Sequence, residues 1–201
     1  IFLVLAVHGR AYADEPVRLA LPFDDGRYYV GQGGGSLVLN YAASSRSQRF
    51  ALDILALNGW GTRARGLYPR DLERYVIFGR TVRSPCDGTV AAAEDGFPDL
   101  TPPERDPEHP AGNHVILECR GVRLLLAHMQ EGSVAAEPGA EVVTGQVVGR
   151  VGNSGNTTEP HLHIHAVEGE GASIFEGDAV PLLFDGSLPV RNTLLVPEGQ
   201  G

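Results

Sequence analysis

Three histidines at alternate positions, in Pro160-His161-Leu162-His163-Ile164-His165, constrain this chain more than any other feature. Leu162, Ile164, Ala166 and Val167 make the segment read as a strand, and a strand sends alternate side chains to one face. His161, His163 and His165 then project together, about 6 to 7 Å from one to the next. Imidazoles at that spacing share a metal ion, or one binds metal while its neighbour moves a proton. The bland alternative is a solvated polar face that happens to carry histidines. Three of the seven histidines in the chain fall within five residues, which favours a site.

The rest of the sequence reads as β structure. Val17 to Leu21 and, less cleanly, Ser36 to Tyr41 alternate in polarity, and Ala51 to Leu55 is apolar around one carboxylate, Asp53. His114 to Leu117 and Val122 to Ala127 flank Glu118-Cys119-Arg120-Gly121 and predict a hairpin. Val142 to Gly149 and Ala179 to Phe184 continue the strand pattern, and Pro69 to Glu73 predicts a short helical turn. The proline-rich, acidic stretch from Asp95 to Pro110 predicts an exposed excursion. Twenty-six glycines and fourteen prolines suit many turns and short strands. The expected fold is all-β, with antiparallel sheets forming a groove.

A net charge of −9 argues against nucleic-acid binding, which needs a basic face for the phosphate backbone. Ile1 to Val7 is an apolar run, and Ala11-Tyr12-Ala13 fits a signal-peptidase site, so residues 1–13 predict a truncated signal peptide; a buried edge strand is the alternative. No other stretch has the roughly 18 to 20 apolar residues of a membrane span. Export would suit the two cysteines, Cys86 and Cys119, which are a disulfide candidate or else two buried thiols.

Asp53 inside an apolar strand is costly unless paired, hydrogen-bonded or bound to metal. Singly, Asp53 reads as a turn or cap residue and His128, closing Leu124 to Ala127, as a core histidine. Together with the His161/His163 pair they suggest a metal hydrolase.

These pieces, with Ser84-Pro85-Cys86-Asp87-Gly88-Thr89-Val90, Gly112-Asn113-His114-Val115-Ile116-Leu117, Leu126-Ala127-His128, Gly145 to Gly149, Gly152-Asn153-Ser154-Gly155 and Pro160-His161-Leu162-His163, resemble the lysostaphin/LytM-type zinc metallopeptidases of family M23. The resemblance spans residues 48–185, between an N-terminal β extension (14–47) and a C-terminal tail (186–201). It implies the family's duplicated hybrid-motif fold and one Zn2+. It also implies an exported endopeptidase, placed in the periplasm, cell envelope or medium, that cuts peptide cross-links of bacterial peptidoglycan through a zinc-activated water.

By position, the resemblance makes Asp53 and His163 metal ligands and His128 and His161 the catalytic pair around that water. His165 and Asn113 are supporting candidates. The family's first ligand histidine falls where this chain has Arg49. Asn40 and Gln48 are the stand-in candidates, as weak oxygen ligands, and Tyr41-Ala42-Ala43 is expected to contribute nothing. The alternative is a degenerate domain that binds cell wall or activates a partner hydrolase.

Overall fold

The computed structural model describes residues 15–169, 171 and 173–197, so the expected leader, 1–13, lies outside the described residues. The strands are β1 (Val17–Leu19), β2 (Arg27–Gln32), β3 (Leu52–Leu57), β4 (Thr81–Arg83), β5 (Gly88–Glu94), β6 (Asn113–Cys119) and β7 (Val122–Met129). They continue with β8 (Glu141–Val142), β9 (Val147–Arg150), β10 (Leu162–Glu168), β11 (Ala179–Val180), β12 (Leu182–Phe184) and β13 (Leu194–Leu195). Two short 3-10 helices, Tyr41–Ser44 and Leu72–Arg74, are the only helical elements among the described residues. No helix there is long and apolar enough to cross a membrane.

One antiparallel sheet dominates, in the order β13-β2-β3-β10-β7-β6-β5-β8, with β11 also paired to β10. A parallel pair, β1 with β12, and an antiparallel pair, β4 with β9, stand beside it. The all-β, antiparallel expectation holds. Alternation sorts the two faces of the sheet. Leu52, Ile54, Leu124, Leu126, Leu162 and Ile164 enter the main core, whereas Leu125, Ala127, Val167 and Ile174 form a smaller apolar cluster. Asp53, His163 and His165 occupy the alternate positions of β3 and β10, on the side of that smaller cluster. Both faces of the central strands are therefore buried, and the polar residues on them need partners.

The hairpin predicted around Arg120 and Gly121 joins β6 to β7, with both turn residues at positive φ, 53° and 79°. Three strand expectations are corrected. Residues 36–41 are turns leading into a 3-10 helix. The Asn40 side chain accepts from the Ala42 N–H at 2.9 Å and bends the chain where alternation alone would extend it. Residues 142–149 break into β8 and β9, because Val143 and Gln146 close a turn and Gly145 takes φ 86°. Pro181, which has no N–H for a ladder, separates β11 from β12. Cys86 and Cys119 are disulfide-bonded, with Cα atoms 6.3 Å apart, tying the entry of β5 to the end of β6.

Candidate active site

Strand register builds the centre of the site. Asp53 on β3 stands directly opposite His163 on β10, and His163 stands opposite Ala127 on β7. Asp53 Oδ1 lies 2.9 Å from His163 Nδ1 and 3.5 Å from His161 Nε2. The third histidine arrives by a different device. Two residues of β7, Ala127 and His128, oppose the single residue His114 of β6, which is a β-bulge. His128 takes φ 64°, a left-handed conformation in which histidine is enriched among non-glycine residues. Its N–H donates to Ala111 O, and its carbonyl accepts from Gly152 N–H, so the bulge is pinned from both sides. Without that extra residue the β7 alternation would send His128 into the main core.

The glycine-rich loop before β10 orients this ring. Gly155 (φ 82°) and Gly112 (φ 55°) pack backbone against backbone, and a Cβ on Gly112 would fall inside the Ser154 main chain. That close approach leaves the Ser154 carbonyl 2.9 Å from His128 Nδ1. Asn113 supports Ser154 from behind. Its N–H donates to Ser154 Oγ, and its amide is spent on Phe97 and the Met129 carbonyl.

Hydrogen bonding fixes which nitrogen each ring presents. Backbone carbonyls only accept, so His128 Nδ1–H donates to Ser154 O, and His161 Nδ1–H donates to Glu159 O at 2.9 Å. Each of these rings turns Nε2 into the site. His163 is set by a relay. Burial and the neighbouring His163 push the His165 pKa down to about 3, so this ring stays neutral. His165 donates from Nε2 to Ile174 O and accepts at Nδ1 from His163 Nε2–H, both at 2.9 Å. His163 Nδ1 is left with a lone pair facing a carboxylate oxygen 2.9 Å away. Two acceptors at that distance need a cation between them, either a proton on His163 or a metal ion.

The electrostatics follow. Burial works against the Asp53 carboxylate, but the rings of His161 and His163 outweigh it and hold its pKa well below the usual range. Burial likewise opposes charge on His161, and the Asp53 carboxylate overcomes it, raising that pKa. His128, buried and beside the other two rings, is held well below the ordinary histidine value.

The donor nitrogens of His128, His161 and His163 all lie within 4.8 Å of one another, a group able to hold a metal ion. Donors about 2.0 to 2.2 Å from one tetrahedral ion sit about 3.4 Å apart; Asp53 Oδ1 stands 2.9 Å from His163 Nδ1 and 3.5 Å from His161 Nε2, separations that bracket this spacing. Lone-pair nitrogens converging on a carboxylate suit zinc.

The structure brings together Asp53, His128, His161, His163 and His165. Asn40 is buried, its oxygen accepting from the Ala42 N–H and its NH2 donating to the Arg49 and Ala51 carbonyls, so this side chain holds the turn before β3. Gln48 lines a cavity of about 150 Å³ together with Tyr41, His128 and His163. Arg49 is exposed, sits over the Phe50 ring and lines a separate cavity with Arg46 and Arg120. The sequence reading missed Tyr41, whose hydroxyl lies 3.4 Å from Asp53 Oδ2. Tyr41 is 64% exposed as a residue, and it is chiefly the adjacent Asp53 carboxylate that raises the pKa of the phenol. No periodicity marked Tyr41, because it opens a 3-10 turn rather than a strand.

Residues 75–174 match the peptidase family M23, a span that includes His128, His161, His163 and His165 but not Asp53. Among solved structures, the chain is similar to the catalytic domain of the antimicrobial peptidase lysostaphin from Staphylococcus simulans. Identity is 20%, over 59% of this chain and 86% of that one, with a TM-score of 0.39. It is similar to the M23 metalloprotease pseudoalterin, from the deep sea, at 14% identity over 90% of this chain and 98% of that one, with a TM-score of 0.48. A zinc-containing peptidase from Vibrio cholerae is similar at 19% identity, over 81% of this chain and 41% of that one, with a TM-score of 0.45. No curated protein matches the sequence.

Proposed function

Because this chain carries a peptidase family M23 domain over residues 75–174, we propose that it is an exported zinc metalloendopeptidase acting on peptide cross-links of cell-wall peptidoglycan. The observation that carries the reading is the facing pair of acceptors, Asp53 Oδ1 and His163 Nδ1, at the focus of two further imidazoles. Peptidoglycan peptides are the substrate class that the family resemblance implies. Export is supported by the Cys86–Cys119 bridge, since disulfides persist in oxidising compartments.

Asp53 and His163 would hold the ion. When bound, zinc supplies a Lewis acid for the scissile carbonyl and lowers the pKa of its water to about 7. His128 and His161 are then left with Nε2 free and Nδ1 anchored to a carbonyl. A proton lifted from the attacking water is taken at Nε2 of one ring and returned from that atom to the departing amide nitrogen. His161, whose pKa the Asp53 carboxylate raises, suits the other role: as an imidazolium it donates from Nε2–H to the charge that develops on the carbonyl oxygen. His165 and Ile174 keep His163 in the tautomer that presents Nδ1.

The test is elemental mass spectrometry on the purified mature chain, beside amine release from isolated cell walls. We expect close to one zinc per chain, and loss of both zinc and release in Asp53→Ala and His163→Ala. Unchanged wall cleavage by these two variants would overturn the reading.

A further inference from the structure

Catalytic zinc is normally held by three protein groups, and strand pairing supplies two here, Asp53 and His163. If His128 and His161 do the proton work, a third donor must come from outside the strands. The walls of the small cavity beside these residues narrow the choice. Pro110, Ala111, Leu125, Ala127 and Phe175 carry no donor side chain, whereas Tyr41, Gln48 and Asn156 do. Of these three, only Tyr41 reaches a ligand of the proposed site, with its hydroxyl 3.4 Å from Asp53 Oδ2. The carboxylate is thus bracketed, with imidazoles against Oδ1 and the phenol against Oδ2.

The position of Tyr41 is built into the fold. It follows Asn40, which is buried and uses both donors of its amide on the carbonyls of Arg49 and Ala51, in the segment that enters β3. The same side chain caps the 3-10 turn that Tyr41 opens. Asn40 therefore locks the tyrosine turn to the strand that carries Asp53.

Resting on the zinc reading above, we propose that Tyr41 is a metal ligand, its phenolate oxygen completing a set with Asp53 and His163. The O–H proton leaves to solvent as the oxygen–metal bond forms, so the two anionic oxygens balance the charge of a divalent ion. The neutral imidazole of His163 completes the set without adding charge.

The experiment titrates the full mature chain with Zn2+ against a chromophoric chelator and records visible absorption of the Cu2+-loaded protein. Wild type, Tyr41→Phe, Tyr41→His and Gln48→Ala are compared. Tyrosinate bound to Cu2+ gives a ligand-to-metal charge-transfer band, which the other donors at this site do not supply. We expect the band in wild type and Gln48→Ala and its absence from both Tyr41 variants. Zinc affinity should fall by a factor of 10 to 100 or more in Tyr41→Phe and recover in Tyr41→His, which restores a donor. Wild-type zinc affinity and an unchanged spectrum in Tyr41→Phe would overturn Tyr41 as ligand while leaving the zinc reading intact. Failure of wild type to bind Zn2+ would overturn both. Recovery in Tyr41→His also separates loss of a donor from loss of the fold.

Discussion

His163 Nε2 and His165 Nδ1 meet at 2.9 Å, although the two residues are on one strand and separated only by Ile164. Alternation places both on one face, and Ile174 O at the far end of the pair sets the direction of every proton in the line. His165 therefore acts on the site through His163. Replacing it with alanine removes the acceptor for His163 Nε2–H and frees the ring to turn. We expect zinc affinity to fall 10- to 100-fold in His165→Ala, with hydrolysis partly recovered by excess zinc. Competition with a chelator measures the first quantity. Affinity equal to wild type would remove the relay from the account.

His128 separates two ways of using the three histidines. If it is a proton carrier, His128→Gly should keep close to one zinc per chain while kcat falls by roughly 10² to 10⁴. If it ligates, zinc and activity should vanish together. Glycine is the appropriate replacement because the residue sits at φ 64°, where an alanine would add backbone strain to the result. Metal content and turnover on the same preparation decide between the two.

Much of this site was legible because strand chemistry is periodic. Alternation put His163 and His165 on one face, and a lone carboxylate among Leu52, Ile54 and Leu55 marked Asp53 as a residue needing a partner. What escaped was aperiodic. Tyr41 reaches Asp53 from a turn set by Asn40, and nothing in the local sequence distinguishes it from the strand that Ser36 to Tyr41 resembles. The bulge at His128 is equally silent, since its cause lies in Ala111 and Gly152, distant in sequence. The parallel pairing of β1 with β12 joins residues more than 160 positions apart, and no local pattern encodes that register.

The Cys86–Cys119 bridge closes a loop with a sequence separation of 33. In the chain-entropy treatment a loop of that size contributes about 3 to 4 kcal/mol. A Cys86→Ala/Cys119→Ala variant should therefore melt roughly 6 to 16 °C lower than wild type. The bridge joins the entry of β5 to the end of β6, away from β3 and β10, so zinc content below the new melting temperature should be unchanged. Calorimetry with and without reductant checks the shift. A wild type indifferent to reductant at its melting point would show that the bridge adds nothing.

Tyr28 makes stability sensitive to alkaline pH. Its ring stacks on Phe23 at 4.0 Å, and its hydroxyl donates to Asp25 O at 2.8 Å. Burial raises its pKa up to about 12; Asp25 and Asp24 add to the rise, and Arg80 opposes it. A group whose pKa is higher in the folded state contributes stability that is complete below its unfolded value, near 10. That contribution is lost as pH rises through the folded value, so the window is pH 10 to 12. A rise of that size corresponds to a loss of up to about 3 kcal/mol across the window. In Tyr28→Phe the stack persists, stability at neutral pH drops by about 1 kcal/mol for the lost hydrogen bond, and the alkaline decline becomes shallower. Tyr75, also raised by burial to about 12, keeps some slope in the variant. Urea midpoints at pH 9, 10, 11 and 12 measure the difference, and identical slopes for the two proteins would assign the alkaline loss to other groups.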